Sequence, residues 1–214
     1  MIPAFTTSGV LPPFTGDSAA QGANASPYKV AMTDIVSRFA TSIERITILE
    51  GLLAYREKLR TVGFTEGFQW IDGSFVEDCE SANNRGRAPA DVDIVTYVYR
   101  PLSSQGNGYM KNDELMPIVM ANPDLFNPKQ SKSAYHCDAY HVDLCIPPDM
   151  LVEKTAYWFG LFSHSRVSNL WKGILSVSMN SDDAAARAIL DAKKQEILTQ
   201  LVGCSQTVDG GGSC

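Results

Sequence analysis

Two aspartates, Asp91 and Asp93, are the residues of this 214-residue chain whose spacing best suits chemistry. They open a segment, residues 91–99, that alternates and is rich in Val, Ile and Tyr, which predicts a β-strand. Because alternate side chains of a strand project to the same face, the two carboxylates lie about 6–7 Å apart along the backbone. Carboxylates so placed can hold two divalent cations about 4 Å apart. Their hard oxygen atoms favour Mg²⁺ or Mn²⁺ over zinc.

A third carboxylate is expected from a neighbouring strand, and the sequence offers two candidates. Asp143 lies between apolar residues in a segment, 139–146, that is predicted to be a strand. An aspartate inside a strand is disfavoured, and a shared metal ion would explain it. Asp138 lies near the start of the same segment, where an exposed aspartate needs no explanation. The pattern favours Asp143, which would bind the catalytic metal and help to deprotonate the attacking hydroxyl, and Asp138 is the alternative.

Upstream, Gly73 and Ser74 follow a short predicted strand, residues 68–71, in a strand–turn–helix pattern. Because glycine has no Cβ, a phosphate can approach this backbone closely. The amides after Gly73 and the Ser74 hydroxyl can donate hydrogen bonds to the β- and γ-phosphates of a nucleotide. Arg85 and Arg87 immediately precede the aspartate pair, and we expect them to bind the charge of a triphosphate.

The order Gly73–Ser74, Asp91–Val92–Asp93 and Asp143 resembles the Gly-Ser, Asp-x-Asp, Asp pattern of DNA polymerase β-like nucleotidyltransferases, over roughly residues 40–146. The resemblance implies that the three acids bind two Mg²⁺ or Mn²⁺ ions and that the Gly-Ser turn holds the triphosphate of a (d)NTP. The implied reaction transfers a nucleoside monophosphate to a hydroxyl acceptor and releases pyrophosphate. Asp72 departs from the pattern, because an apolar residue is common there, and the long gap between Ser74 and Asp91 predicts an inserted loop.

Two later segments, residues 157–162 and 171–175, are similar to the C-terminal half of compact bacterial members of this superfamily, which occur in toxin–antitoxin and anti-phage loci. The size of the chain and its N-terminal arm also resemble the nucleotidyltransferases of Hailong-like defence systems. This similarity implies a short oligonucleotide signal that is read by an effector protein from the same operon. The alternatives are nucleotidylation of a partner protein or tRNA, and a non-catalytic nucleotide-binding regulator of a neighbouring effector. No pattern in the sequence indicates the base, the sugar, the acceptor or the oligomeric state.

The elements around these residues predict an α/β (α+β) fold: a small mixed sheet with packed helices and a helical C-terminal part. A long helix is expected from Thr33 to about Arg60, because Phe39, Ile43, Ile46, Leu49 and Leu53 recur at helical spacing. Further helices are predicted at 112–121, from Asp149 onward, and at 182–202. Two more strands are predicted, at 139–146 and 170–179. Residues 77–90 are expected to form a short helix and a loop, and residues 122–134 a polar connection.

The chain is predicted to have four parts. They are an extended N-terminal arm (1–30), a nucleotidyltransferase core (31–148), a helix–strand–helix part of the same domain (149–203) and a flexible tail (204–214). Phe5, Leu11 and Phe14 could fix the arm to the domain surface, and a mobile arm is the alternative.

Composition limits the class of partner. Hydrophobic residues make up 44% and charged residues 20%, as in an ordinary globular enzyme, and the net charge of −6 disfavours a large nucleic-acid interface. Five cysteines without a CxxC pair predict neither a disulfide framework nor a zinc site. We find no secretory signal and no apolar stretch of membrane-spanning length, and therefore expect a cytoplasmic protein without membrane insertion.

Overall fold

A five-stranded mixed sheet with packed helices forms the centre of the computed structural model, which describes residues 1–17, 24–166 and 168–206. This architecture confirms the predicted α+β class. The strands are β1 (Tyr28–Val30), β2 (Gly67–Asp72), β3 (Val92–Val98), β4 (Cys137–Asp143) and β5 (Leu175–Ser178). The helices within the described ranges are α1 (Met32–Phe39), α2 (Ile43–Thr61), α3 (Asn112–Ala121), α4 (Pro123–Phe126), α5 (Pro128–Tyr135), α6 (Pro148–Phe162) and α7 (Asp183–Gln206).

The sheet has the strand order β1-β5-β2-β3-β4. Strand β2 is antiparallel to both β3 and β5, whereas β3 is parallel to β4 and β1 is parallel to β5. With these directions, the end of β2 meets the beginnings of β3 and β4 at one end of the sheet. Residues from three sequence-distant segments therefore come together there.

Each face of the sheet packs against its own apolar cluster. Ile71, Ile94 and Ala139 lie in a large cluster that also contains buried residues of α1, α2 and α7. On the opposite face, buried strand residues pack with Phe162 of α6. That cluster consists of Trp70, Val95, Tyr97, Val142, Phe162 and Ile174, with Trp158 and Phe159 partly buried against it. The alternation of strand side chains explains the two clusters.

The long helix predicted from Thr33 to Arg60 is two helices, so that prediction is wrong in one respect. The helix is interrupted between α1 and α2. Ser42 has extended backbone angles there, and its side chain accepts a hydrogen bond from the Arg45 amide. Serine in this position satisfies an amide that would otherwise lack a partner, and it starts a new helix. The predicted apolar stripe still faces the core across the break, because Phe39, Ile46, Leu49 and Leu53 are all buried.

Two connections differ from their predicted conformation. Residues 77–90 form turns and no helix. Arg45 of α2 contributes to this, since it donates hydrogen bonds to the carbonyls of Phe75 (2.7 Å) and Glu77 (2.9 Å). Residues 122–134 are not an irregular connection, because α4 and most of α5 occupy them.

Several boundaries also differ, although helix α3 lies where it is predicted. Strand β4 begins and ends earlier than residues 139–146, and β5 keeps only four residues of the predicted 170–179. Helix α7 continues to Gln206, past the predicted end at residue 202. The rest of the predicted flexible tail, residues 207–214, lies outside the described residues.

The described part of the N-terminal arm packs on the domain. Leu11 is fully buried, the Phe5 ring lies 6.3 Å from that of Phe39, and the Phe14 ring lies 6.0 Å from that of Trp171. Of the two alternatives, a fixed and a mobile arm, the described part of the arm shows the fixed one, and Phe5, Leu11 and Phe14 make the contacts. Over the described ranges, no helix combines the length and apolar character needed to cross a membrane.

Candidate active site

Three aspartates from adjacent strands lie side by side at the end of the sheet where β2 ends. Asp72 of β2 is directly opposite Asp93 of β3, and Asp93 is directly opposite Asp138 of β4. Directly opposed residues in neighbouring strands project to the same face, with the strands about 4.8 Å apart. Asp91 precedes β3 by one residue and has the same alternation as Asp93, so it extends this row of carboxylates beyond the sheet.

Asp143 does not belong to this row, so the prediction that it supplies the third carboxylate is wrong. Asp143 pairs with Val98, at the opposite end of β3 from Asp93. It also lies an odd number of residues from Asp138, so its side chain projects to the other face of the sheet. Its carboxylate is engaged there by Arg100 Nε at 2.6 Å and by the Cys145 amide at 2.8 Å. Asp138 takes the expected place.

Cationic side chains compensate the charge of Asp91 and Asp93. Lys132, on α5, forms an ion pair with Asp91, and Arg166 Nη2 lies 3.7 Å from Asp93 Oδ1. Burial raises the pKa of the Asp93 carboxyl, and the neighbouring charges of Asp91 and Asp138 raise it further. Three carboxylates so close together therefore require positive charge around them.

The turn after β2 brings the backbone against the Asp93 carboxylate. Gly73 has φ of +81°, a conformation that other residues rarely adopt. A Cβ at this position would also collide with Asp93 Oδ2. Ser74 follows in a short 3₁₀ turn and lines the same pocket. Glycine is thus required here both by the backbone conformation and by the space that Asp93 occupies.

A buried ion network lies beside this turn. Lys172 is 2% exposed, and its Nζ lies 2.9 Å from Glu77 Oε1, 3.1 Å from Asp72 Oδ2 and 3.3 Å from the Gly73 carbonyl oxygen. Arg85 Nη2 contacts the other carboxylate oxygen of Glu77 at 2.8 Å. Burial alone would lower the pKa of Lys172, but the carboxylates of Asp72 and Glu77 outweigh it and raise that pKa. Two cations thus balance two carboxylates.

These residues surround a pocket of about 380 Å³. The predicted residues Gly73, Ser74, Arg85, Arg87, Asp91 and Asp93 all line it. The pocket is also lined by residues that were not predicted as site residues, namely Asp72, Glu77, Lys132, Arg166 and Lys172, and by Asp138, which was only the alternative. The position of Asp72 beside Gly73 was a usable signal, whereas Lys132, Arg166 and Lys172 show no motif. Arg87 is exposed, and its side chain pairs with no carboxylate among the described residues.

The donors of this pocket match the preferences of a hard divalent cation. Asp72, Glu77, Asp91, Asp93 and Asp138 all contribute carboxylate oxygens to its wall, and Asp72 Oδ1 is buried without a hydrogen-bond partner among the described residues. In the arrangement shown, no three His, Cys, Asp or Glu side chains of the described ranges converge on a single point that could hold a metal ion. Lys132 and Arg166 instead neutralise the pair, and both are at least half exposed and thus free to move away.

The fold and the pocket define an α+β protein with a carboxylate cluster beside a Gly-Ser turn at one end of its sheet. The chain belongs to DUF6932, described as a family of unknown function, whose model matches residues 3–178. The match includes all the residues that line the pocket. No curated protein and no solved structure matches the chain.

Proposed function

We propose that this protein is a metal-dependent nucleotidyltransferase that transfers a nucleoside monophosphate from a (d)NTP to a hydroxyl acceptor. The observation that carries the proposal is the single row of Asp93 and Asp138, extended by Asp91, beside the Gly73–Ser74 turn. This arrangement supplies oxygen ligands and a close-approach turn in one pocket. The proposal keeps the Asp91–Asp93 pair of the sequence resemblance and replaces Asp143 with Asp138.

Asp91, Asp93 and Asp138 would hold Mg²⁺ or Mn²⁺, which when bound would supply positive charge to the triphosphate and to the leaving pyrophosphate. The Ser74 hydroxyl and the exposed Arg87 side chain, which both line the pocket, bind phosphate oxygens. An oxygen of the acceptor hydroxyl forms a bond to the α-phosphorus while the bond to the β-phosphate bridging oxygen breaks. A carboxylate oxygen of Asp138 accepts the proton of the acceptor.

Pyrophosphate release tests the proposal. The purified chain is incubated with each of the eight ribo- and deoxyribonucleoside triphosphates and with Mg²⁺ or Mn²⁺. We expect release from at least one nucleotide, and a loss of about 100-fold or more in Asp93→Asn and Asp138→Asn, because removing a ligand costs more than the 10–100-fold of an outer supporting group.

Asp143→Asn is the matched control, since it makes the same change in the same strand on the other face of the sheet. We expect it to keep the wild-type rate. A variant Asp138→Asn that stays fully active while Asp143→Asn is inactive would reverse the assignment. No pyrophosphate from any nucleotide would contradict the enzyme and favour the nucleotide-binding regulator.

The product of the same assay distinguishes the acceptors. An oligonucleotide ladder would support the synthesis of a short signal for an effector protein of the same operon. A labelled protein or tRNA, in reactions to which these are added, would support modification of a partner.

A further inference from the structure

Asp72 has an unusual environment among the acids of the pocket. It is 4% exposed, and its Oδ1 atom has no hydrogen-bond partner within the described part of the chain. A buried carboxylate oxygen without a partner is costly, and buried polar atoms in folded proteins are almost always satisfied. Asp72 lines the pocket, and its unpartnered oxygen therefore has the properties of a ligand atom whose partner is an external group.

The rest of the side chain is fixed in place. Asp72 Oδ2 lies 3.1 Å from Lys172 Nζ, and that nitrogen atom is itself held by Glu77 and by the Gly73 carbonyl oxygen. Pairing between β2 and β3 fixes the position of the Asp72 backbone, since Asp72 is directly opposite Asp93. One oxygen is thus anchored to a buried cation, and the other is left beside the carboxylates of the neighbouring strands.

We propose that Asp72 Oδ1 is a fourth carboxylate ligand of the divalent-cation site formed by Asp91, Asp93 and Asp138. The occupant is a hard cation such as Mn²⁺ or Mg²⁺, because every donor in the row is a carboxylate oxygen. The inference rests on the cation site of the proposed function and adds to it an acid that lies outside the Gly-Ser, Asp-x-Asp, Asp pattern. The competing explanation is that Asp72 serves only as the structural partner of Lys172.

Mn²⁺ binding by the full chain without nucleotide separates the two explanations. Free Mn²⁺ is measured by its electron paramagnetic resonance signal during titration of wild type, Asp72→Asn, Asp93→Asn and the control Asp143→Asn. We expect the first two variants to bind Mn²⁺ about tenfold or more weakly, as loss of a ligand requires, and the control to bind like wild type. Wild-type affinity in Asp72→Asn would overturn the inference, even if this variant has a lower melting temperature.

A change of metal preference provides a test that a structural role would not affect. Asp72→Cys would replace a hard ligand with a soft thiolate, and Asp143→Cys serves as the matched control for added thiol. We expect Asp72→Cys, relative to the control, to gain about tenfold or more in its preference for Cd²⁺ over Mn²⁺ at one site. Equal preferences in the two cysteine variants would contradict direct ligation.

Failure of the inference and failure of the proposed function give different results. A wild-type chain that binds no Mn²⁺ would refute both. Binding that is lost in Asp93→Asn and unchanged in Asp72→Asn would refute only the role of Asp72. If Asp72→Asn does not fold, the double variant Asp72→Asn/Lys172→Met removes both charges of the buried pair and leaves Glu77 paired with Arg85.

Discussion

At the scale of single residues, Lys172 connects segments of the pocket that are far apart in the sequence. It comes from the segment before β5, yet it contacts Asp72 at the end of β2, the Gly73 turn, and Glu77 beyond that turn. Its three partners satisfy the ammonium group, so Lys172 is better suited to hold the turn than to bind a phosphate. Its role is to position Gly73 and the Asp72 carboxylate.

Replacement of Lys172 by Met should destabilise the fold strongly. The change leaves the buried carboxylates of Asp72 and Glu77 without their shared cation, and breaking a buried pair in this way typically costs about 3–5 kcal/mol. Urea unfolding measures the free energy of unfolding. Lys194→Met is the control, because its ion pair with Glu50 is about one-third exposed and contributes about 1 kcal/mol at most. Similar losses of unfolding free energy in the two variants would show that the buried network stabilises the fold no more than an exposed ion pair does.

Burial raises the pKa of the Asp72 carboxyl to about 7, although Lys172 beside it acts in the opposite direction. The raised pKa indicates that the ionised form of this carboxyl group is less stable in the folded chain than in water. The environment of Asp72 depends on Lys172, which is distant in sequence and belongs to no recognisable motif.

The sequence alone could not decide between Asp138 and Asp143 as the third carboxylate. The two residues lie in one strand, and the predicted strand began two residues too late, which left Asp138 at an apparently uninformative edge. The register between β3 and β4 decides the question, because it places Asp138 opposite Asp93. Register depends on the packing of both faces of the sheet and cannot be obtained from a local pattern. The Asp91 and Asp93 pair was predictable because its spacing is local, at the start of one strand.

Among the helices, α4 and α5 begin with residues that are typical of helix starts. Each begins with an Asn–Pro pair, at Asn122–Pro123 and Asn127–Pro128, with proline in the first helical position. The Asn127 side chain also accepts a hydrogen bond from the Lys129 amide at 3.0 Å. Proline in this position is typical of helix starts. Lys132 therefore lies on a helix that directs it to Asp91.

Helix α1 begins on a carboxylate from the other end of the chain. Asp182, which precedes α7, accepts hydrogen bonds from the amides of Met32 (2.8 Å) and Thr33 (3.3 Å) and from the Thr33 hydroxyl (2.6 Å). Ala31 precedes the helix and has no side chain that could do this. The contact holds α1 against α7, and it could not be predicted because Thr33 and Asp182 are 149 residues apart in the sequence.

Asp182→Ala should lower the free energy of unfolding by about 1 kcal/mol at pH 7, the usual cost of losing a helix cap. These hydrogen bonds outweigh burial and lower the pKa of Asp182 from 3.8 to about 2. A lowered pKa in the folded state means that the stabilisation is complete above pH 4 and is lost as the pH falls toward 2. The difference between wild type and Asp182→Ala, measured by urea unfolding, should shrink over that range.

Asp182→Asn is the control for this contact, since asparagine keeps a side-chain oxygen that accepts hydrogen bonds but has no charge to titrate. We expect it to lose less stability than the alanine variant at pH 7 and to show no change with pH attributable to this position. A pH-independent difference between wild type and Asp182→Ala would refute the linkage.

Over the whole molecule, the N-terminal arm joins the two segments that carry the buried ion network. The Gly9 carbonyl accepts a hydrogen bond from the Asp78 amide at 2.8 Å, and the Leu11 carbonyl accepts one from the Gly173 amide at 2.8 Å. Asp78 is next to Glu77 and Gly173 is next to Lys172. The sequence left a fixed arm and a mobile arm as alternatives, because its few apolar residues show no periodicity. Only tertiary contacts could decide between them.

Leu11→Ala should therefore affect both the stability and the pocket. Leu11 is fully buried, and such a truncation costs about 2–5 kcal/mol, depending on how far the neighbours close the cavity. Leu102→Ala is the matched control, since Leu102 is 71% exposed and its loss should change the free energy of unfolding by no more than about 0.5 kcal/mol. Because the arm holds the neighbours of Glu77 and Lys172, we also expect Leu11→Ala to weaken Mn²⁺ binding under conditions in which the chain stays folded. If Leu11→Ala is strongly destabilised yet binds Mn²⁺ with wild-type affinity, the arm supports the fold without shaping the pocket.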